Sequence, residues 1–211
     1  MEYLVVVLVF IVFLQTRLTD LSQAVYCLCA QSALLAGACF FLGLSSGEGI
    51  HAVLPALLTL AVKVLFIPAA ILRLVHRITD KREIISGTNV SYSSLAAVVA
   101  LVLGYWLSDS LMPFDVGVGR DVLAATFFMI MTGLSLMVIR RRAVMQIVGL
   151  ITLENGIYLL GLLMTEGLPL VVELGVFIDV LIAVIVLVIL TSRMRLSFMT
   201  TDTRVMKKLK G

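Results

Sequence analysis

Residues 131–163 read MTGLSLMVIRRRAVMQIVGLITLENGIYLLGLL, and this stretch decides the fold. Two apolar runs are separated only by Arg140, Arg141 and Arg142. Each run, 122–139 and 143–164, approaches the roughly 20 residues that a helix needs to cross a hydrocarbon core of about 30 Å. Three consecutive arginines do not rest in hydrocarbon, so they mark the tight turn of a helical hairpin at a membrane surface.

Outward from this hairpin the same pattern repeats. Apolar runs at 1–14, 21–44, 50–74, 94–112, 122–139, 143–164 and 168–191 are expected as seven transmembrane helices. The first run lacks the basic lead of a signal peptide, its only early charge being Glu2, and is read as a retained helix. The composition requires such a solvent. Of 211 residues, 61% are hydrophobic and 14% charged, with a mean hydropathy of +1.15. Soluble domains run at about 45–50% apolar and about 25% charged. So few charges cannot build a polar exterior. The expectation is an all-α integral membrane protein, with four N-terminal helices in 1–121, a three-helix unit in 122–192 and a basic tail in 193–211. The longest connection, 78–93, fits a cytoplasmic contact surface and a solvated linker equally well.

The distribution of charge gives the orientation. With the N-terminus outside, one face receives Arg17, the group Arg73, Arg77, Lys81 and Arg82, the arginine triplet and the basic tail. These are 14 of the 16 Lys and Arg residues. The other face receives Arg120 together with acids such as Glu48, Asp109, Asp115, Asp121 and Glu166. The positive-inside rule then places the C-terminus in the cytoplasm. The remaining cation, Lys63, lies inside a span.

Several functions find no support in the sequence. Basic residues flank spans, so the net charge of +3 does not indicate a nucleic-acid surface. No dinucleotide fingerprint, phosphate loop or metalloprotease helix occurs. Cys27 and Cys29 point about 200° apart on a helix and, with Cys39, read as small hydrophobes. Neither His51 nor His76 has other ligand types beside it in sequence. No metal and no cofactor are expected on this chain.

The ionisable residues within spans carry the chemistry. Lys63, Glu154 and Asp179 sit near span centres, and Glu173 lies one turn into the seventh run. A charge at that depth costs several kcal/mol, on the order of 3 on insertion scales. A structural ion pair and a row of protonatable sites both fit these positions. A buried pair is a weak device for stability, because apolar residues often do as well. Desolvation disfavours the charged form of any membrane acid or amine and brings such groups toward proton exchange near neutral pH. The surroundings are polar as well. Thr152, Asn155 and Tyr158 flank Glu154 on neighbouring faces, and Pro68 follows Lys63 by five residues. A proline at 68 removes the amide partner of the Val64 carbonyl, placing a polar kink next to the lysine.

The 131–163 stretch and the later VVELGVFIDVLIAVIVLVIL resemble component E of hydrogenase-4, a membrane subunit of formate hydrogenlyase-type complexes. The segment around Lys63 and Pro68 and the closing LKG share that likeness. The C-terminal half is also similar to the K subunit of respiratory complex I and, more loosely, to the C subunit of multisubunit cation/proton antiporters. The K subunit has two membrane carboxylates on successive helices. Asp179 matches the second, with a shorter side chain, while the first falls at Ile151, and Glu154 stands three residues later.

This resemblance implies a subunit of a complex I-like [NiFe]-hydrogenase in a bacterial or archaeal cytoplasmic (inner) membrane. Such a subunit links an antiporter-like pump subunit to an anchor subunit and carries part of a charged axis. The metal centres belong to a soluble hydrogenase arm. It implies Lys63, Glu154, Asp179 and Glu173 as the proton or ion pathway, supported by Pro68, Asn155 and Tyr158. An antiporter subunit without redox chemistry and an inert membrane scaffold are the competing readings.

Overall fold

A computed structural model describes residues 2–45, 57, 60–77, 87–112 and 118–164. Every element among the described residues is a helix. Helix α1 (Glu2–Arg17) is followed by α2 (Leu21–Ser45). A π-helical segment, Leu60–Phe66, runs directly into α3 (Ile67–Arg77). Then come α4 (Gly87–Leu111), α5 (Val118–Ile139) and α6 (Ala143–Met164). Helices are the required form here, because hydrocarbon offers backbone groups no partners and an α-helix satisfies its own.

Among the described residues, four helices are long and apolar enough to cross a membrane: Leu21–Phe41, Val90–Leu111, Gly119–Ile139 and Ala143–Leu163. The hairpin turn lies where the arginine triplet puts it, α5 ending at Ile139 and α6 opening at Ala143. Four boundaries differ from the sequence expectation by three residues or more, among them the end of α3 at Arg77 rather than 74 and the start of α5 at Val118 rather than 122. Helix α1 runs on to Arg17, three residues past the end of its apolar run. Helix α4 begins at Gly87, so the C-terminal part of the expected 78–93 connection, from residue 87 on, is helical. The α1 extension and most of the α4 extension are polar in sequence, so apolar content alone did not mark them as helix. The run 168–191, with Glu173 and Asp179, and the basic tail lie outside the described residues.

Large apolar side chains point outward, among them Phe10 on α1, Val102 and Trp106 on α4, and Val138 on α5. An exterior of this kind belongs in lipid. Inside, two apolar clusters form. One joins α1, α4, α5, the middle of α2 and the C-terminal half of α6, around Leu8, Leu35, Phe128 and Leu159. The other joins α3 to the first halves of α2 and α6, around Leu28, Ile71, Val148 and Ile151. Helices α5 and α6 pack at backbone distance. A Cβ added to Gly133 would lie 2.6 Å from the Gly149 carbonyl oxygen, and one added to Gly149 would lie 2.8 Å from the Gly133 oxygen. Small residues permit this approach in a solvent that gives no hydrophobic drive between helices.

Candidate functional site: a buried ion pair in a polar seam

The two apolar clusters leave a polar layer between them. On α2, Gln31 and Ser32 fall between Leu28 of one cluster and Leu35 of the other. On α6, Thr152, Glu154 and Asn155 fall between Ile151 and Tyr158. All five of these polar side chains are buried.

Lys63 projects from the π-helical segment into this layer. Its Nζ lies 2.8 Å from Glu154 Oε1, and the two side chains are 2% and 8% exposed. These exposures decide that the pair is an interior one, enclosed by the helices around it. The contact is an ion pair rather than an aligned hydrogen bond, and Glu154 Oε2 meets no hydrogen-bond donor among the described residues. Lys63 also donates to Asn155 Oδ1 at 3.3 Å. Its ammonium stands 5.2 Å from the centre of the Tyr158 ring, within cation–π range. Asn155 in turn donates from Nδ2 to Ser32 Oγ at 3.3 Å. The lysine thus meets Glu154, Asn155 and Tyr158 on one helix, at the i, i+1 and i+4 positions.

Local chain geometry explains how the lysine arrives there. Pro68 is buried at the second position of α3 and has no N–H for the Val64 carbonyl. The Cys29 thiol of α2 donates to that carbonyl instead, at 3.4 Å. The wider π-helical winding ends at Phe66, two residues before the proline. Short π segments of this kind often accompany functional sites, because they re-aim side chains that a regular α-helix would place elsewhere.

A second group of polar side chains adjoins the first. Gln15 of α1 donates to Thr152 Oγ1 at 3.2 Å, and Gln31 donates to Gln15 Oε1. Thr152 also lies within bonding range of the Val148 carbonyl, at 2.8 Å. One residue beyond Gln15, the Thr16 carbonyl accepts from Nη2 of Arg140, which is fully buried. The guanidinium therefore caps the C-terminal end of α1, where cations are favoured. Its neighbours in the triplet differ, Arg141 being exposed and Arg142 half-buried.

Of the residues expected from sequence, the structure brings together Lys63, Glu154, Asn155 and Tyr158, with Pro68 shaping the approach. Glu173 and Asp179 lie outside the described residues. The sequence reading missed Gln15, Gln31, Ser32 and Arg140. A signal existed for the first three, since each is a polar residue within or beside an apolar run. Among the described residues, no group of three or more His, Cys, Asp or Glu side chains could hold a metal ion. At the opposite end of the hairpin, Arg120 pairs with Asp109 at 3.1 Å in a largely exposed bridge, a type worth about 0–1 kcal/mol.

Apolar helices enclosing a buried ion pair and its polar seam define a helical membrane protein with charged groups in its interior. The chain belongs to one family with the uncharacterized protein Rv0085 of Mycobacterium tuberculosis, to which it is 32% identical over 152 residues, 72% of this chain and 69% of that protein. It is also homologous to hydrogenase-4 component E of Escherichia coli K12, at 31% identity over 117 residues, 56% of this chain and 54% of the relative. The same figures hold for hydrogenase-4 component E of Shigella flexneri. The chain spans about half the length of the component E relatives it matches. No protein-family model matches the chain, and no solved structure matches it significantly.

Proposed function

We propose that this chain is a membrane subunit of a complex I-like [NiFe]-hydrogenase and that its Lys63–Glu154 pair is a station for protons or ions crossing the membrane. The observation that carries this reading is the pair itself, 2.8 Å long and buried on both sides. It lies in a chain homologous to a hydrogenase-4 component. A buried pair is poor value as a stabiliser, whereas an intramembrane ionisable residue most often serves transport or coupling.

The chemistry follows from the charges. A proton arriving on Glu154 makes the carboxyl neutral and leaves the Lys63 ammonium without its counter-charge. The pair then carries one excess positive charge, and release of one proton toward the other side restores the starting state. Asp179 and Glu173, on the 168–191 run, are the next stations in this scheme. Asn155 and Tyr158 hold the ammonium in place through the contacts described above.

In the same reading the chain crosses a bacterial or archaeal cytoplasmic membrane seven times, its N-terminus outside and its C-terminus in the cytoplasm. Helices in 1–121 form one part, 122–192 form a K-subunit-like unit, and 193–211 form a cytoplasmic tail. Its partners are an antiporter-like subunit, an anchor subunit and the soluble hydrogenase arm, which holds the metal centres. Affinity purification of the tagged chain from mild detergent tests this directly. The expected product contains stoichiometric nickel, iron and an antiporter-like subunit. An antiporter complex without nickel would establish the competing reading and remove the hydrogenase.

A further inference from the structure

The polar layer extends beyond the ion pair, and its direction is informative. It starts at the α5–α6 turn, where Arg140 meets the Thr16 carbonyl. Gln15, one residue back on α1, touches Thr152 of α6 and Gln31 of α2. Ser32, one residue along α2, touches Asn155, and Asn155 touches Lys63. Thr152 and Asn155 are three residues apart and share a face of α6. Each step moves from the arginine turn toward the middle of the 22-residue helix α6. At 1.5 Å per residue, Glu154 lies about 17 Å from the start of α6.

Two features distinguish this seam from interhelical glue alone. The first is that two hydrogen-bonded groups, Gln15–Gln31–Thr152 and Ser32–Asn155–Lys63, stand side by side across three helices and the π-helical segment. They adjoin at Gln31 and Ser32 on α2 and at Thr152 and Asn155 on α6. The second is that the Gln31 Oε1 acceptor lies at this junction, fully buried and without a donor among the described residues, as does Glu154 Oε2 at the pair. A buried acceptor without a donor costs about 1–3 kcal/mol. Water bound by several polar partners is the common remedy, and here such partners are arrayed in a line.

From this arrangement we infer that Gln15, Gln31, Ser32, Thr152 and Asn155 line a water-filled access path that delivers protons to the Lys63–Glu154 pair from the membrane face bearing Arg140. The amides and hydroxyls anchor water and carry no proton themselves. The excess proton moves along the water and ends on Glu154, so no bond other than O–H is made or broken. The Arg140 charge at the entrance is met by the carbonyl end of α1, which limits its repulsion of an incoming proton. This inference rests on the relay reading proposed above and adds the route and its sidedness.

The test uses the complete complex in sealed vesicles of both orientations. Cys27, Cys29 and Cys39 are replaced by Ala, Ser and Ala, and Ser32→Cys is introduced. The probe is a small, charged, membrane-impermeant methanethiosulfonate, with labelling read by mass. Leu28→Cys, one turn away in the apolar cluster, serves as the dry control. The expected result is labelling of Ser32→Cys only from the Arg140 face and none of Leu28→Cys. In addition, Gln15→Leu with Gln31→Leu should slow coupled proton movement about tenfold, the effect of a barrier raised by one unmet hydrogen bond. Subunit content and artificial-acceptor hydrogenase activity should be unchanged. No labelling of Ser32→Cys from either face would overturn the path, and labelling only from the opposite face would overturn its sidedness. The labelling does not depend on the double leucine variant folding. Loss of proton movement in Glu154→Gln together with a dry Ser32→Cys would leave the relay standing and remove the path. Normal proton movement in Glu154→Gln would instead remove the relay.

Discussion

Replacing Lys63 by Met removes the positive half of the buried pair and keeps most of the side-chain volume. At 2.8 Å and an effective dielectric constant of about 20, the attraction lost is about 6 kcal/mol. The measured cost of breaking buried pairs, about 3–5 kcal/mol, is of the same order. The loss arises because Glu154 remains buried with no counter-charge, so neutralising it should recover most of the damage. The assay is a double-mutant cycle on the purified complex: Lys63→Met, Glu154→Gln and the two together, scored by subunit content and by thermal stability in detergent. Lys63→Met is expected to lose most of the assembled complex, and the double variant to regain at least half of the lost stability. Equal damage in the single and double variants would refute the reasoning, because it would mean that the pair contributes no coupling.

Three further outcomes follow from the packing. Gly149→Leu should destabilise by about 1–3 kcal/mol or more, because the atoms facing its Cβ include the Gly133 carbonyl, which a rotamer change cannot move; unaltered thermal stability would contradict the close approach of α5 and α6. Arg140→Met should cost about 1.5–3 kcal/mol of stability by removing a charged donor from Thr16, while Arg141→Met, at an exposed position, should be close to neutral; equal effects would dismiss the cap on α1. Cys29→Ala should cost about 1 kcal/mol by stranding the Val64 carbonyl, and clearly less in a Pro68→Ala background, where residue 68 supplies an amide; thermal melts of the four variants would show the difference.

The hairpin and the ion-pair residues were legible because each rests on a large single-residue cost. Three arginines in hydrocarbon are prohibitive, so α5 and α6 had to end beside them. A lysine and a glutamate at mid-span needed a reason, and each now has the other. The polar kink at Val64 was legible from the proline alone, but its partner, Cys29, lies 35 residues away and is set by packing. Gln15 and Gln31 escaped notice because an uncharged amide costs far less in a membrane than an ion does, and Gln15 also lies near the end of its helix. Arg140 is chemically identical to Arg141 and Arg142, and only the third dimension separates a buried cap from its exposed and half-buried neighbours. The start of α4 at Gly87 was missed for a related reason. Apolar content marks where hydrocarbon ends, whereas the helix continues into water.

The central claim is that charge moves through this chain, and the ratio of protons moved to hydrogenase turnovers tests it most directly. The complex carrying Glu154→Gln and Asp179→Asn keeps side-chain size at both positions and loses both titratable carboxyls. In sealed vesicles the account predicts artificial-acceptor hydrogenase activity that stays in proportion to subunit content and a proton-to-turnover ratio that falls toward zero. A ratio equal to that of the wild type, measured in the same vesicles, would contradict it.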